Sequence, residues 1–159
     1  INLLKVPDER MNEFMNYSTK IMSNLQNLAD RVQLLTEQNY YYIANSHTLL
    51  SEDQSKEIQS IADNLTQFST VLMNVINNVE DYKEADIEEK IDAFKKKIEE
   101  LNKIQVERVK HSPKPIKRNL LYFTILSDMD LIADNSRTLY RALRKVFKKI
   151  TKENQKSAE

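Results

Sequence analysis

Apolar side chains recur at alternating spacings of three and four along most of this chain, which is the period of a helix that buries one seam. The first stripe is Phe14, Ile21, Leu25, Leu28, Val32, Leu35 and Tyr42, with polar Ser18 and Asn39 filling the gaps. Pro7 suits a first helical turn, and Asp8 and Glu9 complement the positive end of a helix, so this element is predicted over 8–45. A second stripe, Ile58, Ile61, Leu65, Phe68, Leu72, Val75 and Val79, has no polar member. Ser51 followed three residues later by Gln54 has the form of a capping box that opens it, which predicts a helix over 52–80. Asp86 and Glu89 repeat the cap pattern before Ile91, Phe94, Ile98, Leu101 and Val109, predicting a third helix over 86–111. The run His111-Ser112-Pro113-Lys114-Pro115 breaks it. A fourth helix, predicted over 116–152, carries Leu121, Ile125, Ile132, Leu139, Leu143, Val146 and Ile150 toward a lysine-rich end that suits a negative helix terminus. The tail after about 152 is polar and expected to fray.

Helices of this length, about 54 Å for about 36 residues, with short connections, pack economically as an elongated antiparallel four-helix bundle in up-down-up-down order. Exchange of the fourth helix with a partner chain would bury the same stripes. Composition agrees with an all-α class: the 159 residues include no glycine and three prolines, and β-rich folds lean on glycine for their tight turns. The length fits a single domain, 1–159. Glycine-rich phosphate loops are excluded outright, and with no cysteine there is no thiolate zinc site and no cysteine nucleophile. Two isolated histidines, His47 and His111, leave triad and metalloprotease chemistry poorly supplied. No apolar run approaches the eighteen or so residues that cross a bilayer, and the chain opens on Ile1, so it reads as a soluble piece of something longer.

Charge is unevenly distributed. Residues 1–92 hold 7 basic and 16 acidic side chains, and residues 93–159 hold 17 and 8, so the halves carry minus 9 and plus 9 around a net charge of zero. In a bundle the halves lie side by side and compensate. Basic residues crowd the breaker, as Arg108, Lys110, Lys114, Lys117 and Arg118, and the end of the fourth helix, as Arg141, Arg144, Lys145, Lys148, Lys149 and Lys152. Either group would meet phosphates or anionic lipid; the second lacks interleaved aromatics for base stacking, so nucleic acid is not an expected partner. The run Tyr40-Tyr41-Tyr42 reads as one seam residue and two residues at a bundle end.

The candidate chemistry lies on the fourth helix. Asp130 and Asp134 are four apart, which puts both carboxylates on one face about 6 Å apart, a spacing suited to a hard cation. With Ile132 taken as the middle of the buried stripe, both point about 160° away, among Arg137, Arg141 and Lys148, on what is expected to be a solvated face with Asp134 and Arg137 as a surface pair. Asp128 falls near the core stripe, where a carboxylate needs a partner. No Glu-x-x-His occurs, which argues against a ferritin-like di-iron enzyme. The tetrapeptide Ile61-Ala62-Asp63-Asn64 recurs as Ile132-Ala133-Asp134-Asn135, as a duplicated hairpin would produce.

The stretch from Ser112 to Ile132, in which Ser-Pro-Lys leads into a Leu-Tyr-Phe helix, resembles the last helix of the PhoU-like domains that follow the membrane part of bacterial PiT-type inorganic phosphate transporters. The run from Met11 to Gln54, with its long first helix and Asn45-Ser46-His47 turn, is similar to the same region of those domains. That resemblance implies a non-catalytic regulatory or assembly domain at the cytoplasmic face of the inner membrane. Its implied partners are the membrane domain of the same transporter, a signalling protein and a second copy in a homodimer. Asp130-Leu131-Ile132-Ala133-Asp134 matches the family's metal motif, an acidic residue, three others and aspartate, with Asn135 where many members have histidine. The implied cofactor requirement is none, with at most a weakly bound metal ion at Asp130 and Asp134. A second such motif is reduced here to the bare spacing of Glu88 and Asp92. The reading from a different class is a stand-alone helical interaction module with no transport role.

Overall fold

The computed structural model describes residues 8–78 and 87–156 and places four helices in them: α1 Asp8–Ala44, α2 Glu52–Asn77, α3 Ile87–His111 and α4 Ile116–Lys156. The all-α four-helix prediction holds. The capping box forms as read: the Ser51 hydroxyl accepts from the Gln54 amide, and the Gln54 side chain accepts from the Ser51 amide. Glu52 and Asp53 complete an acidic first turn that complements the helix dipole. The cap expected at Asp86 and the seam residue Val79 lie outside the described residues. Helix α4 continues past the expected fraying point to Lys156, because lysine, glutamate and glutamine are good helix formers.

Helix α4 is the hub. It packs against the other three helices, α3 also packs on α2, and α1 packs on α4 alone among the described residues. Cross-helix pairs fix the directions. Glu57 with Tyr122 sets α2 parallel to α4, whereas Gln54 with Gln105 and Phe68 with Phe94 set α2 against α3. Glu88 with Arg141 and Lys95 with Asp134 set α3 against α4, and Glu13 with Lys149 and Arg31 with Asp128 do the same for α1. The up-down-up-down order follows. Ile61, Phe68, Val75, Ile91, Phe94, Ile98, Leu101, Tyr122, Leu126 and Leu139 make a dry core among α2, α3 and α4.

Helix α1 departs from its predicted seam. Ile21, Leu28, Leu35 and Tyr42 turn toward α4, but Phe14, Leu25 and Val32 remain exposed, at 59%, 42% and 51%. Between the apolar contacts it sets Asn24 and Arg31 against α4. The reason is the missing neighbour: a heptad seam with two apolar rows is buried whole only when helices close on both sides, and α1 has one.

Candidate functional site

Helix α4 brings Asp130 and Asp134 to one face as the spacing required; that face borders α3 and stays part-exposed, with the two side chains 38% and 49% accessible. The Lys95 ammonium sits 3.1 Å from Asp130 Oδ1 and 2.7 Å from Asp134 Oδ1, between the two carboxylates, where a cation would bind. Burial alone would lower the pKa of Lys95; the hydrogen bonds and charges of Asp134 and Asp130 outweigh it and hold the group above its ordinary value. A metal ion at this pair must displace a bound lysine. The expected pairing of Asp134 with Arg137 is also corrected. Arg137 reaches across to Asp92 and Glu88 on α3, and Arg141 makes a two-pronged bond to Glu88, at 2.7 and 2.9 Å. Glu88 and Asp92, the bare spacing of a second motif, are thus both bound to arginines, and no group of three metal-ligating side chains forms among the described residues. Lysine meets aspartates at one level and arginines meet acids at the next, an order of signs that suits only one antiparallel register of α3 on α4.

A second polar cluster, invisible to the stripe analysis, joins α2, α3 and α4 near the Pro113 turn. Gln105 occupies a seam position between Leu101 and Val109 and is 0% exposed. Its carbonyl accepts from the Gln54 amide at 3.1 Å, its amide donates to the Asn119 carbonyl at 3.0 Å, and Asn119 donates in turn to the Pro113 carbonyl at 3.1 Å. Beside this relay, Arg108 grips Glu57 with both guanidinium nitrogens, and the Tyr122 hydroxyl donates to Glu57 Oε2 at 2.6 Å. Burial pushes the Glu57 carboxyl up, but the hydrogen bonds from Arg108 and Tyr122 and the charges of Arg108 and Lys97 prevail and hold it below its ordinary value. Tyr122 is driven strongly upward by burial and by its bond to Glu57, so it stays protonated as the donor. Every member is satisfied, and none is left as a free acid, base or nucleophile. The one sequence signal was the polar Gln105 on an apolar face.

Asp128 stands where its stripe position placed it, 5% exposed under α1. Arg31 is its ionic partner at 3.7 Å, beyond hydrogen-bond reach, and the buried Oδ2 has no partner. Burial raises its pKa, with the Arg31 charge opposing. A carboxyl whose folded pKa is raised stabilises the fold fully below its unfolded pKa and loses that contribution as pH rises through the folded value. Asp128→Asn is therefore expected to stabilise the protein at pH 7 by about 1 kcal/mol, since Arg31 is half exposed and can return to water. Thermal melts of both proteins from neutral to acid pH test this. The gap should close on acidification, and a less stable variant at pH 7 would contradict the account.

Comparison of the chain with protein-family models, with curated proteins and with solved structures returns no match.

Proposed function

We propose that this chain is a non-catalytic regulatory or assembly domain of an inorganic phosphate transporter, acting through helix contacts at the cytoplasmic membrane face. The observation that carries the reading is the segment 112–132, whose Ser-Pro-Lys turn and Leu-Tyr-Phe helix resemble the PhoU-like domains of such transporters. That segment opens the helix on which the other three pack. The acidic pair of the family motif is present, and in this chain Lys95 holds its two carboxylates, so the domain needs no metal to keep that face together. A domain that works by contact requires a stiff body and a surface, and it requires no tuned catalytic group. None of the described helices is long and apolar enough to cross a membrane, so in this reading the spanning helices belong to the rest of the protein.

The reading as a stand-alone interaction module is favoured by one feature, the uncovered apolar row of α1. The reading frame that encodes Ile1 separates the two. Under the transporter reading, sequence upstream of Ile1 encodes several segments of about 20 apolar residues, and deleting the domain from the full protein changes phosphate uptake or its repression. An upstream frame without such segments would overturn it.

A further inference from the structure

The loops at 45–51 and 112–115 lie at one end of the bundle, and there the structure joins two features that sit some seventy residues apart in the chain. Tyr41, Tyr42 and His47 line a groove of about 440 Å³ together with Lys117, Leu120 and Leu121, so the tyrosine run and the basic breaker form one surface. Tyr40 packs edge-on to Tyr41 with ring centres 5.7 Å apart. The apolar content of this surface is exposed: Tyr41 61%, Leu49 63%, Ile116 61% and Leu120 60%. Residues 38–51 and 108–127 contain no acidic side chain. Of their basic residues, Arg108 is bound to Glu57 and Lys110 to Glu107, whereas Lys114, Lys117 and Arg118 have no acidic partner among the described residues. Arg118 Nε is buried with no hydrogen-bond partner. Lys117 and Arg118 also sit in the first turn of α4, which has no acidic residue, so they face the positive end of a long helix. An anion at this place relieves like-charge repulsion and a helix-end mismatch together.

We propose that this end of the bundle is a docking surface for an anionic lipid bilayer, with Tyr40, Tyr41, Leu49, Ile116 and Leu120 entering the headgroup region and Lys114, Lys117 and Arg118 meeting lipid phosphates. Tyrosines seat at such an interface with the ring in the apolar zone and the hydroxyl in water. Lysines beside them lay their stems along apolar surface and keep the ammonium at phosphate depth. Aliphatic side chains at the tips of loops and at a helix start suit a soft, shallow partner, whereas nucleic acid would ask for open aromatic faces that the paired Tyr40 and Tyr41 do not provide together. The inference deepens the membrane-face reading and rests on it for the choice of a bilayer over a soluble anion. The vesicle experiment uses this chain alone, so its failure is distinguishable from failure of the upstream-frame and uptake tests.

The test is co-sedimentation with vesicles of phosphatidylcholine, alone or with about one third phosphatidylserine. The expected result is binding to the mixed vesicles at least tenfold above that to the neutral ones, weakened by added salt. Lys114→Gln with Lys117→Gln should lower it at least tenfold, because each cation near an anionic surface is worth roughly fivefold in binding. Tyr41→Ser with Leu120→Ser should lower it at unchanged charge, and both positions are exposed, so circular dichroism should match the wild type. Inorganic phosphate at the same phosphate concentration should not displace the protein. Equal binding to both vesicle types, no binding, displacement by free phosphate, tighter binding to a single-stranded oligonucleotide, or variants that bind as the wild type would each overturn the proposal.

Discussion

Phe94→Ala is expected to lower the unfolding free energy by about 3–5 kcal/mol, the range for removing a buried aromatic ring. Phe94 is 1% exposed and meets Phe68 edge to face with centres 5.3 Å apart, so the truncation removes apolar burial and an aromatic pair at once. Its neighbours on α2, α3 and α4 are locked in one core, and a rigid helix body cannot collapse into the space left behind. Lys96→Ala, on the exposed side of the same helix, is the control and should lie within about 0.5 kcal/mol of wild type. Urea unfolding of the three proteins decides it. Similar midpoints for Phe94→Ala and Lys96→Ala would mean that the α2–α3 contact is not where the structure puts it.

Gln105→Leu is expected to cost about 2–4 kcal/mol although leucine is the more hydrophobic residue. The substitution leaves the Gln54 amide and the Asn119 carbonyl buried without partners, and each orphaned group costs about 1–3 kcal/mol. The gain from burying extra apolar surface is smaller, because Gln105 already fills its space with the stem of its side chain. A leucine variant as stable as wild type would show that the relay is dispensable. Chemical denaturation is the measurement.

The sequence was clearest where one local rule governed. Ser51 and Gln54 read as a capping box because the box needs only two residues three apart, and the breaker at Pro113 and Pro115 needed only the backbone chemistry of proline. The wheel leaves the face of Asp130 and Asp134 to solvent alone because it gives α4 one buried stripe, whereas in the structure that part-exposed face also borders Lys95 of α3. A helix that packs on three others is buried around much of its circumference, and Ala133 and Tyr140 on its flank are as buried as Ile132. Which of Lys95, Lys96 and Lys97 would bind the pair is a matter of helix rotation that spacing does not carry. On α1, Leu28 and Leu35 compete with Leu25 and Val32 for the same seam, and the rotation of α1 on α4, its one neighbour among the described helices, decides between them.

The solitary contact of α1 has a consequence for how the protein is made. Of the four helices α1 is synthesised first and α4, which covers it, last. At 5–20 residues per second the ribosome needs on the order of ten seconds to produce that cover. During that interval α1 carries both its apolar rows uncovered, and α2 and α3 can pair beside it without sheltering them, because neither touches it in the finished fold. Closure then joins positions about a hundred residues apart, a long-range step that comes late in folding. Between the completion of α3 and that of α4 this part of the nascent chain is therefore a helical hairpin with an uncovered helix beside it, and a chaperone that recognises apolar segments would find its binding site in residues 14–43.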